Sequence, residues 1–190
     1  FSQSDGAHAD AHGALLMTMQ YVPEYTPDFL TQAARQWAAP LAHLARRPAA
    51  HANSPDVRRR LRVGYVSADF HHHPVGYFLD PVLQHRDSGE YEIYCYSNGA
   101  VQDDQTRRLQ RLTDHWRNIA GQTDEAVAAQ IEGDGIDVLI DLSGHTAENR
   151  LLVFARRPAP VQATWMGYFA TTGLDAMDYV IADRFVIPTA

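Results

Sequence analysis

The stretch RVGYVSADFHHHPVG, residues 62–76, decides how this chain folds. Its first half, Arg62–Ala68, is a β-branched and aromatic run, the pattern of a strand buried on both faces. The run ends at Asp69, and three consecutive histidines lead to Pro74. A helix is expected next, over Gly76–His85. Outward from this unit the same alternation repeats. Tyr91–Ser97 reads as a second strand and Asp103–Leu112 as a strongly charged helix. Thr123 can cap a helix over Asp124–Glu132, whose two leading acids suit the positive end of the helix dipole. Asp137–Leu142 reads as a third strand, Glu148–Arg156 as a helix, VQATWMG (161–167) as a fourth strand and DYVIADR (178–184) as a fifth. Regular alternation of strand and helix predicts an α/β fold: a Rossmann-like, doubly wound parallel sheet with right-handed crossovers.

Upstream the character differs. Residues 1–12, FSQSDGAHADAH, read as a polar loop or frayed end. Gly13–Arg47 reads as helical, with Leu15, Leu16, Met19 and Val22 at helical spacing and Pro23 closing the segment. Thr26-Pro27-Asp28 marks a second helix start, and Phe29, Leu30, Ala33, Ala34 and Trp37 form its apolar face. Residues 48–57 form a linker rich in Ala, Pro and Asn. The expected division is an all-α segment over 1–58 and an α/β lobe over 59–190.

Composition narrows the function. A formal net charge of −7 argues against nucleic acid as the default partner, because phosphate binding wants a basic face. No apolar run approaches the ~18 to 20 residues of a membrane-spanning helix, so no membrane partner is expected. The chain opens on Phe1 rather than Met, as a fragment or processed form would. One cysteine, Cys95, excludes an internal disulfide and a cysteine zinc site. All sixteen basic residues are arginine, so chemistry that needs a lysine must find it elsewhere. No G-x-G-x-x-G, G-x-x-x-x-G-K-[ST] or G-x-S-x-G pattern is present. An Asp-x-Asp pair, which would hold a metal on a sugar-nucleotide diphosphate, is also missing.

In a doubly wound sheet the ligand crevice lies beyond the carboxyl ends of the strands. Three polar clusters fall there: Asp69–Pro74, Asp141–Thr146 and Gly167–Gly173. Adjacent histidines in an extended stretch point apart, so the triplet is a poor chelator and no metal is expected. His71 and His72 read as solvated loop residues. His73 is held extended by Pro74 and is either a crevice-facing general base or one more loop residue. His145 is either a site residue or a surface one, and Thr146 a site residue or only the cap of the next helix. Asp141 is a crevice carboxylate or a turn-stabilising one. Gly167 and Gly173 let a ligand approach or serve only turn geometry.

Three segments carry a family resemblance: LRVGYVSADFHHHPVGYF, DGIDVLIDLSGHTAENRLLVFARRPAPVQATWMGY and TTGLDAMDYVIADRFVIP. Together they resemble the O-linked N-acetylglucosamine transferase and SPINDLY family, more narrowly its bacterial homologues. The upstream HGALLMTMQYVPEYTPDFL is similar to the helical segment that joins the family's tetratricopeptide repeats to its catalytic region. The resemblance implies an inverting, metal-independent, cytoplasmic enzyme of glycosyltransferase-B type with two Rossmann-like lobes, of which this chain would be the first. It implies transfer of N-acetylglucosamine from UDP-GlcNAc to Ser/Thr hydroxyls of a protein acceptor, with no cofactor. It leaves GDP-fucose open as the donor and a non-catalytic peptide-binding module open as the role. The diphosphate-binding lysine would belong to the second lobe, so the fragment alone is expected to be inactive. His73 matches the family's DF-x-x-HP histidine, proposed there as a base. His145 occupies a position that is histidine in bacterial and SPINDLY-like members, and Thr146 matches a threonine of the sugar pocket. The resulting assignment is His73 and Asp141 as catalytic residues. Asp69, Pro74, Gly144, His145, Thr146, Gly167, Tyr168, Thr171 and Thr172 are assigned to substrate binding. One departure stands out: the family's GYPGTTG is here GYFATTG, with Phe169 and Ala170.

Overall fold

A computed structural model describes residues 3–45, 51–56 and 58–187, with side chains from residue 11 onward. Part of the expected linker, residues 48–50 and 57, lies outside the described residues. The chain runs α1 (Gln3–Met19), α2 (Pro27–Ala38), a 3-10 turn (Ala39–Leu44), β1 (Leu61–Ser67), α3 (Pro74–Gln84), β2 (Tyr91–Ser97) and α4 (Asp104–Leu112). It continues through β3 (His115–Asn118), α5 (Asp124–Gly133), β4 (Val138–Asp141), α6 (Leu151–Ala155), β5 (Val161–Trp165) and β6 (Tyr179–Ile181). The strands form one sheet in the order β3-β2-β1-β4-β5-β6, and every pair is parallel. This is the doubly wound order, and it reverses between the neighbours β1 and β4. The crevice at that switch point is flanked by the loops after β1 and β4.

Period-two alternation divides the strands between two cores. Val63, Tyr65, Ile93, Cys95 and Ile140 face α3 and α4, where Leu79, Leu83 and Leu109 meet them. Val66, Tyr94, Tyr96 and Leu139 face the other way, onto Val127 and Ile131 of α5 and Leu151, Val153 and Phe154 of α6. Gly64 lies on that second face. A Cβ there would come 2.9 Å from the Leu139 side chain, so the bulk of Tyr96 and Leu139 leaves room only for glycine. Ala38 and Leu41 extend this second core, with Trp37 and Leu44 packed against it. The helical segment therefore covers part of the sheet's core.

Five expectations change. Residues 3–12 belong to α1 rather than to a loop, in keeping with the helix propensity of an alanine at nearly every second position. The helical run to Arg47 is broken: α1 ends at Met19 and the stretch after Ala38 tightens into 3-10 turns around Pro40. α3 begins at Pro74, two residues earlier than expected, because His73 caps it. α6 starts only at Leu151, because Glu148 takes a left-handed φ of 55° that a helix cannot hold. The sheet has a further strand, β3, which the sequence reading passed over. HWRN is short, polar and half-buried, and it is held by pairing with Tyr94–Ser97. The caps of α2, α4 and α5 are as read: Thr26, Asp103 and Thr123 each accept a backbone N–H of the first turn.

Leu139 is fully buried at the centre of the sheet. Leu139→Ala is expected to cost about 3 kcal/mol, seen as a lower urea midpoint at unchanged m-value.

Candidate active site

The loop after β1 is shaped by its backbone. Ser67 Oγ accepts from the Asp69 N–H at 2.9 Å, and the His73 N–H donates to the His71 carbonyl at 2.7 Å. Gly76 passes beneath this turn, where a Cβ would lie 2.3 Å from the His71 oxygen. The three histidines diverge. His71 Nε2 lies 3.7 Å from Asp69 Oδ1. His72 Nε2 lies 2.6 Å from Asp104 Oδ1, and its Nδ1 lies 2.9 Å from the Tyr77 hydroxyl. His73 Nδ1 accepts from the Val75 N–H at 3.3 Å and lies 3.9 Å from Asp69 Oδ2, with its side chain 40% exposed. Asp103 fastens this loop from a distance. Its Oδ2 accepts from the His72 N–H at 2.7 Å, while Oδ1 accepts from the Thr106 N–H at the start of α4. Among the described residues, His72, Asp103 and Asp104 form a group whose ligand atoms lie within 4.8 Å of one another. Both Asp103 oxygens are committed to the loop and the cap.

The loops after β4 and β5 are locked together. Asp141 is buried, and its oxygens accept from the Ser143 N–H at 3.1 Å, the Gly144 N–H at 2.8 Å and the Thr164 hydroxyl at 2.8 Å. Burial raises the Asp141 carboxyl above the usual range, opposed by those three donors. Gly144 sits at φ 56°, where a Cβ would fall 2.2 Å from Tyr168 Cβ; a Cβ on Gly167 would fall 1.7 Å from the Leu142 oxygen. Each loop thus needs a glycine against the other's backbone or side-chain root. Between them Met166, not a glycine, holds a φ of 47°, a strained geometry typical of functional turns.

His145 is 1% exposed, not the surface residue the sequence left open. Its Nε2 donates to the Thr172 carbonyl at 3.0 Å. Its ring meets Trp37 of α2 edge-on at 4.6 Å and Tyr168 at 5.3 Å. Its Nδ1 has no hydrogen-bond partner and faces α1 at Gly13, where a Cβ would lie 3.5 Å away. Burial pushes the imidazole down to about 4, opposed by the Thr172 carbonyl. Thr146 does not cap α6: its hydroxyl donates to the Ser143 carbonyl at 2.8 Å, and the Leu151 N–H is accepted by Asn149.

The assigned residues thus fall into two layers. Asp141, Gly144, His145, Tyr168 and Thr172 are buried, whereas Asp69, His73, Pro74, Thr146, Gly167 and Thr171 keep surface. Phe169 is half exposed and borders an open apolar groove of about 800 Å³ with Met166, Ala170, Val180 and Ile187. Sequence reasoning missed the residues that tie the loops to one another. Arg150 donates to the Asn98 side chain, the Ile119 and Gln122 carbonyls and Asp124, joining the turns after β2 and β3 to the start of α6. Trp37 and Asp103 were read only as an apolar face and a helix start, because their partners are far along the chain.

Two outcomes follow. Gly144→Ala is expected to cost about 2 kcal/mol or more, through the left-handed φ and the clash with Tyr168, again read from urea unfolding. For His145 the folded chain favours the neutral ring, so its contribution is complete above pH ~6.5 and is lost as pH falls toward 4. Between pH 7 and 4.5 this amounts to about 2 to 3 kcal/mol, and His145→Phe should remove that part of the pH dependence of the urea midpoint.

Known proteins agree with this architecture. The sequence pattern of glycosyl transferase family 41 matches residues 39–190. The chain is 38% identical over 177 residues to a protein of Petunia hybrida named probable UDP-N-acetylglucosamine–peptide N-acetylglucosaminyltransferase SPINDLY, covering 91% of this chain and 19% of that protein. It is 35% identical over 149 residues to the UDP-N-acetylglucosamine–peptide N-acetylglucosaminyltransferase of Caenorhabditis elegans, covering 76% and 13%. Among solved structures it is similar to a mutant O-GlcNAc transferase of Thermobaculum terrenum, with a TM-score of 0.90 and 44% identity over 95% of this chain and 35% of that one. It spans 19% of the first of these relatives and 35% of the solved chain. With the matched pattern covering most of its length, from the turn after α2 to the last residue, this chain belongs to glycosyl transferase family 41.

Proposed function

We propose that this chain is the first Rossmann-like lobe of an enzyme that moves N-acetylglucosamine from UDP-GlcNAc to serine or threonine hydroxyls of proteins. Family membership supports the reaction class, and the names of the similar proteins support the donor and the peptide acceptor. The observation that carries the reading is the placement of the accessible residues. His73 follows β1 and Thr146 follows β4, and those strands are neighbours at the switch point of the sheet. Beneath them the buried layer of Asp141, His145, Tyr168 and Thr172 holds both loops rigid, as positioning of two reactants requires.

In the transfer, the acceptor oxygen forms a bond to the anomeric carbon on one face. The bond from that carbon to the diphosphate breaks on the other, its electron pair leaves with UDP, and the acceptor's proton is released. The departing charge needs cations. Loops 67–74, 141–149 and 166–173 contain no arginine or lysine, and Arg150, beside them, is engaged with four protein oxygens. Diphosphate binding therefore falls to the second lobe, and the helices of residues 1–58 lead back to tetratricopeptide repeats. The reaction drawn here uses no metal or other cofactor. The place of action we assign is the cytoplasm; no described helix is long and apolar enough to cross a membrane.

Full-length protein incubated with labelled UDP-GlcNAc and a protein acceptor should give labelled product. His73→Ala should lower the rate about 100-fold or more while UDP still binds. Product from GDP-fucose alone would reassign the donor. A folded protein that transfers neither sugar but binds peptide would overturn the enzyme reading in favour of a peptide-binding module.

A further inference from the structure

We propose that His73 acts as a hydrogen-bond donor, through Nε2–H, to an oxygen of the bound sugar nucleotide, and is not the base that takes the acceptor's proton. The inference rests on the transferase reading above and assigns the proton on one ring. His73 is the N-cap of α3, with extended backbone at φ −149° and ψ 153°. Its Nδ1 lies 3.3 Å from the Val75 N–H. A backbone N–H can only donate, so Nδ1 must present its lone pair. A neutral imidazole carries one proton, which therefore sits on Nε2. No described residue partners Nε2, and the side chain keeps 40% of its surface. The ring thus presents a donor outward and turns its one basic nitrogen onto the helix.

The tautomer that a base would need is not built. It would place the proton on Nδ1, facing Asp69, so that Nε2 could accept. Asp69 Oδ2 lies 3.9 Å from Nδ1, beyond hydrogen-bond distance. The switch would also set Nδ1–H against the Val75 N–H and deprive α3 of its side-chain cap. The positive end of the α3 dipole opposes a cationic ring at the same place. Asp69 lies nearer to His71, at 3.7 Å, and stands between the two rings, whose centres are 5.7 Å apart. In the transfer His73 neither gains nor loses a proton. The acceptor's proton passes to water, and Nε2–H stabilises charge on the donor as the bond to the diphosphate breaks.

The test has two arms. In the first, the chain is labelled with 15N-histidine and its ring nitrogens are read by NMR near neutral pH. The His73 signals are those absent from His73→Gln. A protonated Nε2 and a bare Nδ1 are expected; a proton on Nδ1 overturns the proposal. In the second, transfer by the full-length protein is compared among three variants. Glutamine places a carboxamide N–H near the Nε2 position and cannot act as a base. Asparagine restores a capping oxygen without reaching that position. His73→Gln should stay within about 10-fold of wild type in kcat, while His73→Asn and His73→Ala fall about 100-fold or more. A glutamine variant that folds, by its thermal unfolding, yet is as slow as alanine sinks the donor role. If the wild-type protein transfers no sugar at all, the transferase reading fails, and the NMR arm still decides where the proton resides.

Discussion

The buried carboxylate of Asp141 is the constraint on which the working edge of this sheet depends. It sits at the end of β4 and receives two backbone N–H groups of its own loop and the hydroxyl of Thr164 on the neighbouring strand. A carboxylate so placed is costly to desolvate, and the three donors offset that cost. The result is a loop, Leu142–Thr146, that has one available course. Gly144 then fits against Tyr168, and Gly167 against the Leu142 carbonyl. Strand ends that would otherwise be mobile become a fixed platform.

This platform explains why polar residues of the site are split between two depths. His145 was as open to a surface role as to a site role when only its neighbours in sequence were known. In the fold it is the keystone between the platform and the helical segment, touching Thr172, Tyr168 and Trp37 at once. It acts on the crevice through those neighbours rather than by reaching into it. The helical segment is correspondingly close to the chemistry: Gly173 of the β5 loop packs directly on the backbone of α2, where a Cβ would lie 2.3 Å from the Ala34 carbonyl.

The histidine triplet shows how one short motif divides its labour. His72 joins the loop to α3 and α4 through Tyr77 and Asp104, and His73 caps α3. His71 leans on Asp69. None of these partners is shared by all three rings, which is why the triplet does not behave as a chelating unit. The expectation that Pro74 holds His73 extended was sound, because it rests on a local clash that no tertiary contact can relieve. Which way its ring turned was another matter, since the partner is the N–H of a helix whose start had been placed two residues too late.

What the sequence determined by itself was everything set by local periodicity and local sterics. The alternating strands, the caps at Thr26, Asp103 and Thr123, the parallel doubly wound sheet and the gathering of three polar loops at one edge all follow from residues close together in the chain. What only the tertiary structure decided were contacts between distant segments. These are the half-polar strand β3, stable only beside β2; the burial of His145 under Trp37; and the hold of Asp103 on His72 across 31 residues. The physical reason is the same each time. A short polar strand, a histidine and an aspartate have several local options of similar energy, and the choice among them is made by whichever distant backbone or ring completes their hydrogen bonds and packing.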